Sequence, residues 1–188
     1  MLSLREVGLS IRGAVRLLFG DAGGIEAFDD SVERFWRSFW AAAYAAPLAV
    51  VLIFALQVGA PPKSWGRYFV VNGIIYVMAW FLWPLIMVSV ARWLGRGERY
   101  FRYIQAYNWA QLVGLGVKLG VLVMAQAMFQ GRGAALLLFF VTIVMLVYSW
   151  FVARTALEVS GRIAAGLVAF DITIAVAISL ATVSLAME

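Results

Sequence analysis

The chain has no cysteine and no histidine in 188 residues. Disulfides, thiolate nucleophiles, histidine bases, histidine-ligated haem and the usual zinc sites are thereby excluded, and with them much of the chemistry of small enzymes. Charge is scarce too, at 13% of residues against about a quarter in an ordinary globular chain. No G-x-x-x-x-G-K-[ST] phosphate loop, acyl-transfer elbow or metalloprotease carboxylate pair occurs. The glycine-rich, acidic stretch GDAGGIEAFDD at 20–30 has no strand before it and reads as a connection. GLGVKLG at 114–120 lies inside an apolar run and is no nucleotide loop. These absences predict a chain that is not an enzyme and uses neither metal nor cofactor.

Apolar surface is what the chain has in excess: 64% of residues are hydrophobic and the mean hydropathy is +0.91. Five runs, at about 35–58, 67–91, 105–129, 134–156 and 163–187, are each long enough to cross a hydrocarbon layer of about 30 Å. The expected fold is an all-α polytopic membrane protein. Its five-helix transmembrane domain (31–188) follows an N-terminal amphipathic interfacial helix and acidic linker (1–30).

In that first segment Leu4, Val7, Ile11, Val15 and Leu18 recur at three and four, while Arg5, Arg12 and Arg16 share a flank. Such a helix can lie in the membrane interface or pack on the protein's own polar face, and both readings stay open. The segment lacks the apolar core and cleavage site of a secretory signal, so no removal is expected. Asp30 followed by Glu33 suggests a capping box at the start of the first span. Pro61 and Pro62 suggest a stiff turn at 59–66, and Pro84 a kink in the second span.

The net charge of +5 does not point to nucleic acid, because the basic residues sit in short segments between apolar runs. Eleven of them fall on one side of a five-span layout, against Lys63, Arg67 and Arg132 on the other. The positive-inside rule then predicts a cytoplasmic N-terminus and a C-terminus on the far side, and the excess of arginine over lysine with abundant alanine and glycine suggests a bacterial inner membrane, whose far side is the periplasm.

The third span is the predicted centre of the bundle. Asn108, Gln111, Lys118 and Gln126 occupy one side of it, and Gly116 and Gly120 form a G-x-x-x-G pair that predicts close helix packing elsewhere on its surface. On the fifth span Ala164, Asp171, Ala175, Thr182 and Ala186 recur at seven and four, a row of small residues carrying one acid. An intramembrane acid must be paired, hydrated or protonated. An intramembrane polar cluster of Asn108, Gln111, Lys118 and Asp171 is therefore expected, with Arg154 as an alternative partner for the acid. Two readings of it are open: an ion, proton or ligand site, or hydrogen bonding that fixes helix register.

Between the second and third spans, RWLGRGERYFRY at 92–103 carries Arg92, Arg96, Arg99 and Arg102 beside aromatics. This predicts a cytoplasmic basic surface that meets anionic lipid or a protein partner. The five-span layout, the basic loop after the second span and the stretch RYFRYIQAYNWAQLV at 99–113 resemble the Yip family of five-span membrane proteins and its bacterial relatives. Eukaryotic members act in vesicle traffic and bind small GTPases through the N-terminal part, but their acidic, tyrosine-containing signature is absent here. Closely spaced spans, almost no extramembrane domain and no catalytic constellation together predict a membrane adaptor or accessory subunit, with anionic lipid and another membrane protein or a second copy as partners. The alternative is a small transporter or channel component using Lys118 and Asp171.

Overall fold

The computed structural model describes residues 3–56, 63–128 and 132–187, with the side chains of 56, 132, 134 and 181–187 left aside. All regular structure among them is helical: α1 (Leu4–Leu18), a 3-10 turn (Ala22–Ala27), α2 (Val32–Ser38), α3 (Trp40–Leu56), α4 (Trp65–Trp93), a second 3-10 turn (Gly97–Arg99), α5 (Tyr100–Met128), α6 (Arg132–Leu157) and α7 (Gly161–Met187). Five stretches are long and apolar enough to cross a membrane: Val32–Ala55, Trp65–Trp93, Gly97–Met128, Ala135–Leu157 and Gly161–Leu180. The first half of the predicted turn at 59–66 falls outside the described residues, as do the side chains of Thr182 and Ala186, and α4 already begins at Trp65.

Helix starts follow local chemistry. Ser3 and Glu6 make a reciprocal capping box on α1, each satisfying an amide of the other. The first span is capped by Ser31 rather than Asp30: the Ser31 hydroxyl accepts from the Arg34 amide at 3.3 Å, and Glu33 pairs with Arg37. Asp29 has the supporting role there, accepting from the Ser31 hydroxyl at 2.6 Å and from Arg34. This span breaks once, at Phe39, between α2 and α3. By contrast α4 runs on through Pro84 without interruption, and the Tyr100 hydroxyl donates to the Pro84 carbonyl at 3.0 Å.

One face of α1 packs against α5 and α6, burying Ala14 and Leu17, while Leu4, Leu9 and Phe19 stay exposed. The buried Tyr148 hydroxyl of α6 donates to the Ala14 carbonyl at 2.7 Å, fixing the contact. Where α1 meets the first 3-10 turn, the backbones touch through Gly13 and Gly24. A Cβ on Gly13 would stand 2.8 Å from the Gly24 oxygen and collide with Ala27.

α5 is the centre of the bundle, packing against α1, α2, α3, α4 and α6. It is buried without interruption from Tyr103 to Ala110. The α7 helix leans on α4 and α6. The link into α7 turns at Glu158, whose φ of 54° is left-handed, a conformation that costs a non-glycine residue about 1–2 kcal/mol.

Candidate functional site

Gln111, Lys118 and Asp171, three of the four residues expected to cluster, line one half-open cavity of about 380 Å³ bordered by residues of α3, α4, α5 and α7. Its walls are regular helix faces. Tyr76, Ala79, Trp80 and Trp83 on α4, and Asp171, Ile174, Ala175 and Ile178 on α7, both follow the i, i+3, i+4, i+7 pattern of a single stripe. Tyr107, Gln111, Leu115 and Lys118 supply the α5 wall. The volume exists because Ala49, Ala79 and Ala175 face it where larger side chains would fill it. Trp80 and Trp83, both buried, belong to its lining.

The polar geometry is sparse. The Tyr107 hydroxyl donates to the Asp171 carboxylate at 3.4 Å, a long contact. Trp83 donates its indole N–H to Tyr103 at 2.9 Å, and Tyr76 donates to the Ala42 carbonyl at 2.5 Å, so both rings are held in place. No ion pair joins Lys118 to Asp171. Lys118 lies eleven residues beyond Tyr107 on α5, an axial separation of roughly 16 Å at 1.5 Å per residue, more than the lysine recovers by tilting toward its helix N-terminus. Arg154 is not the substitute partner either, because its guanidinium sits over the Trp150 ring at 5.3 Å.

Asn108 leaves the predicted cluster. It stands about 100° around the helix from Tyr107, and its amide donates to the buried Ser38 hydroxyl at 2.9 Å, leaving its own Oδ1 buried and without a partner. Gln105 works on the neighbouring segment, donating to the Asp29 carbonyl at 2.7 Å and accepting from the Asp29 amide at 3.4 Å. Of the residues expected to serve close helix packing, Ala164 is fully buried. Gly116 and Gly120 are exposed and face open space, and Ala175 borders the cavity. Among the described residues no helix stands against the glycine face of the second half of α5, and the G-x-x-x-G pair meets no neighbour there.

The basic surface is divided. Arg99 reaches Asp30 at 3.2 Å and Glu158 at 3.4 Å, and Arg102 reaches Glu158 at 2.6 Å and the Ala156 carbonyl at 3.3 Å. These two arginines tie the linker and the α6–α7 link to the start of α5, which begins at Tyr100 and so shortens the predicted loop. Arg92 remains exposed beside Trp93, with Arg96 partly so. The hydrogen bond from Arg102 holds the Glu158 carboxyl below its ordinary range against the opposing effect of burial, helped by the charges of Arg99, Arg102 and Arg96. Burial of Asp29 would raise its pKa, but hydrogen bonds from Ser31 and Arg34 outweigh it and bring the value to about 2. Among the described residues no group of three or more His, Cys, Asp and Glu side chains converges as a metal site would require.

No family model, curated protein or solved structure matches the chain. Tyr107, Trp80, Trp83 and Tyr76 were missed by sequence reasoning because aromatic residues in apolar spans look like lipid-facing belts. The available signal was spacing: Tyr107 shares a face with Gln111 and Lys118, whereas Asn108 is displaced from it.

Proposed function

We propose that the chain is a non-enzymatic transport or channel component of a bacterial inner membrane, taking a small polar molecule into the cavity among its spans. One observation carries this reading: the cavity is lined by Asp171, Lys118 and Gln111, and its two charges are held apart instead of neutralising each other. Intramembrane charges are costly, and their usual structural use is to pair. Room between them suits a ligand that approaches each separately.

The absence of cysteine gives a clean test. Ala175→Cys in the cavity should react in intact membranes with a membrane-impermeant thiol reagent, whereas Val176→Cys, exposed but outside the cavity, should not. Equal reactivity, or none at either position, would remove the reading.

A second reading is favoured by the polar end, where Arg92 and Trp93 are exposed side by side and Trp93 is 84% accessible. There the chain acts as a Yip-like accessory subunit, its N-terminus cytoplasmic, docking anionic lipid or another membrane protein through Arg92 and Arg96. Native mass spectrometry after mild extraction tests this: a stoichiometric partner lost on Arg92→Glu supports it, and a bare monomer counts against it.

A further inference from the structure

We infer that the cavity recognises an organic ammonium group, a monocation or zwitterion carried by a free solute or by a phospholipid headgroup. The inference rests on the cavity reading above and names the ligand class. Asp171 supplies the counter-charge, and its carboxylate has spare acceptor capacity, since the Tyr107 hydroxyl at 3.4 Å uses one lone-pair direction of about four. Around it the lining is aromatic: Tyr76, Trp80, Trp83 and Tyr107 all border the same space. Trp83 and Tyr107 have ring centroids 6.2 Å apart, and Tyr76 and Trp80 6.1 Å. A carboxylate set among indole and phenol rings attracts alkylated ammonium through charge and ring quadrupole together.

A hydrated inorganic ion fits this lining poorly. Hard divalent cations take about six or more oxygen ligands, and here the Tyr76 hydroxyl is already directed to Ala42. Asp171, Gln111 and the Tyr107 hydroxyl are too few oxygens to replace a hydration shell. Lys118, at the other end of the same cavity, repels a second positive group. Polyamines are thereby disfavoured, while a zwitterion is tolerated. The volume of about 380 Å³ is within the size range of small-molecule sites.

The test is calorimetric titration of the whole protein, purified in nonionic detergent, with choline, tetramethylammonium, potassium and spermidine. Saturable binding of choline and tetramethylammonium is expected, with potassium giving no saturable signal and spermidine binding more weakly. Asp171→Asn should weaken choline binding by about tenfold or more, the loss of one desolvated charge contact. Lys118→Met should narrow the preference for choline over spermidine, which a merely structural lysine would not do. Gly116→Ala, on the open face of α5, should bind as the unmodified protein. Repeating the choline titration in phosphatidylcholine and phosphatidylglycerol nanodiscs separates the sources. Weaker binding in phosphatidylcholine identifies the headgroup as the natural occupant, and equal binding identifies a free solute. Folded protein that binds no choline, or binds potassium equally well, overturns the ligand class. If Ala175→Cys is still labelled selectively, the cavity reading survives that failure.

Discussion

The two halves of α5 keep different company. From Tyr103 to Ala110 every residue is buried, and the polar groups there have local tasks: Tyr103 receives Trp83, Gln105 brackets Asp29, and Asn108 holds Ser38. Beyond Gly114 the helix opens, with Gly116, Lys118 and Gly120 exposed and no ion pair on the lysine among the described residues. Neutral polar groups that find hydrogen bonds fix packing at little electrostatic expense. An intramembrane charge with no partner among the described residues is expensive, and the proposed ligand site is what would account for it. The first half of α5 is scaffold; the site begins at its edge, with Tyr107 and Gln111 facing the cavity.

The strongest way to break this division is to attack what covers the first half. Gly13→Val would drive a side chain into Ala27 and the Gly24 carbonyl, prising α1 from its turn. A loss of about 1–3 kcal/mol is expected, read as a lower melting midpoint in detergent. Gly116→Val, with open space around it, should change the midpoint little. Equal losses would mean that the two halves are not different environments. Next in size is Ser38→Ala, which strands the Asn108 amide in the buried half. It should cost about 0.6–2 kcal/mol, and adding Asn108→Leu should recover part of the loss, because removing both partners avoids an unmet donor.

The sequence made the spans legible because twenty or more apolar residues in a row have few other uses. It also singled out α5 as central and Asp171 and Lys118 as the charges to watch. What it concealed was pairing at a distance. Arg99 and Arg102 look like a surface cluster along the chain, yet Glu158, more than fifty residues away, draws them onto the α6–α7 link. The Gly116 and Gly120 spacing signals close packing without saying whether a neighbour is present. The cavity is invisible in sequence for a related reason. It is a void left by Ala49, Ala79 and Ala175 on three helices, and alanine in a span reads equally well as tight packing.

A smaller effect sharpens the scaffold side. Because hydrogen bonds lower Asp29 to about 2 from an ordinary value near 3.8, its contribution to stability is fully present above about pH 4. It is lost as pH falls through the folded value toward pH 2, since the unfolded state binds the proton first. The melting midpoint should fall over that window, and Asp29→Asn should flatten that part of the profile. An unchanged profile in the variant would show that the clasp between Asp29, Ser31 and Arg34 does not stabilise the start of the first span.

The smallest expected change is the most telling. Lys118→Met removes an ammonium that pairs with nothing among the described residues and keeps a chain of similar length against the helix. If Lys118 were scaffold, the substitution would lower the midpoint as Ser38→Ala does. If the lysine is retained for a ligand, the empty protein gains from losing an uncompensated intramembrane charge, and the midpoint should stay level or rise. The sign of that shift, measured on ligand-free protein beside Ser38→Ala, separates a residue that holds the fold from one that the fold accommodates.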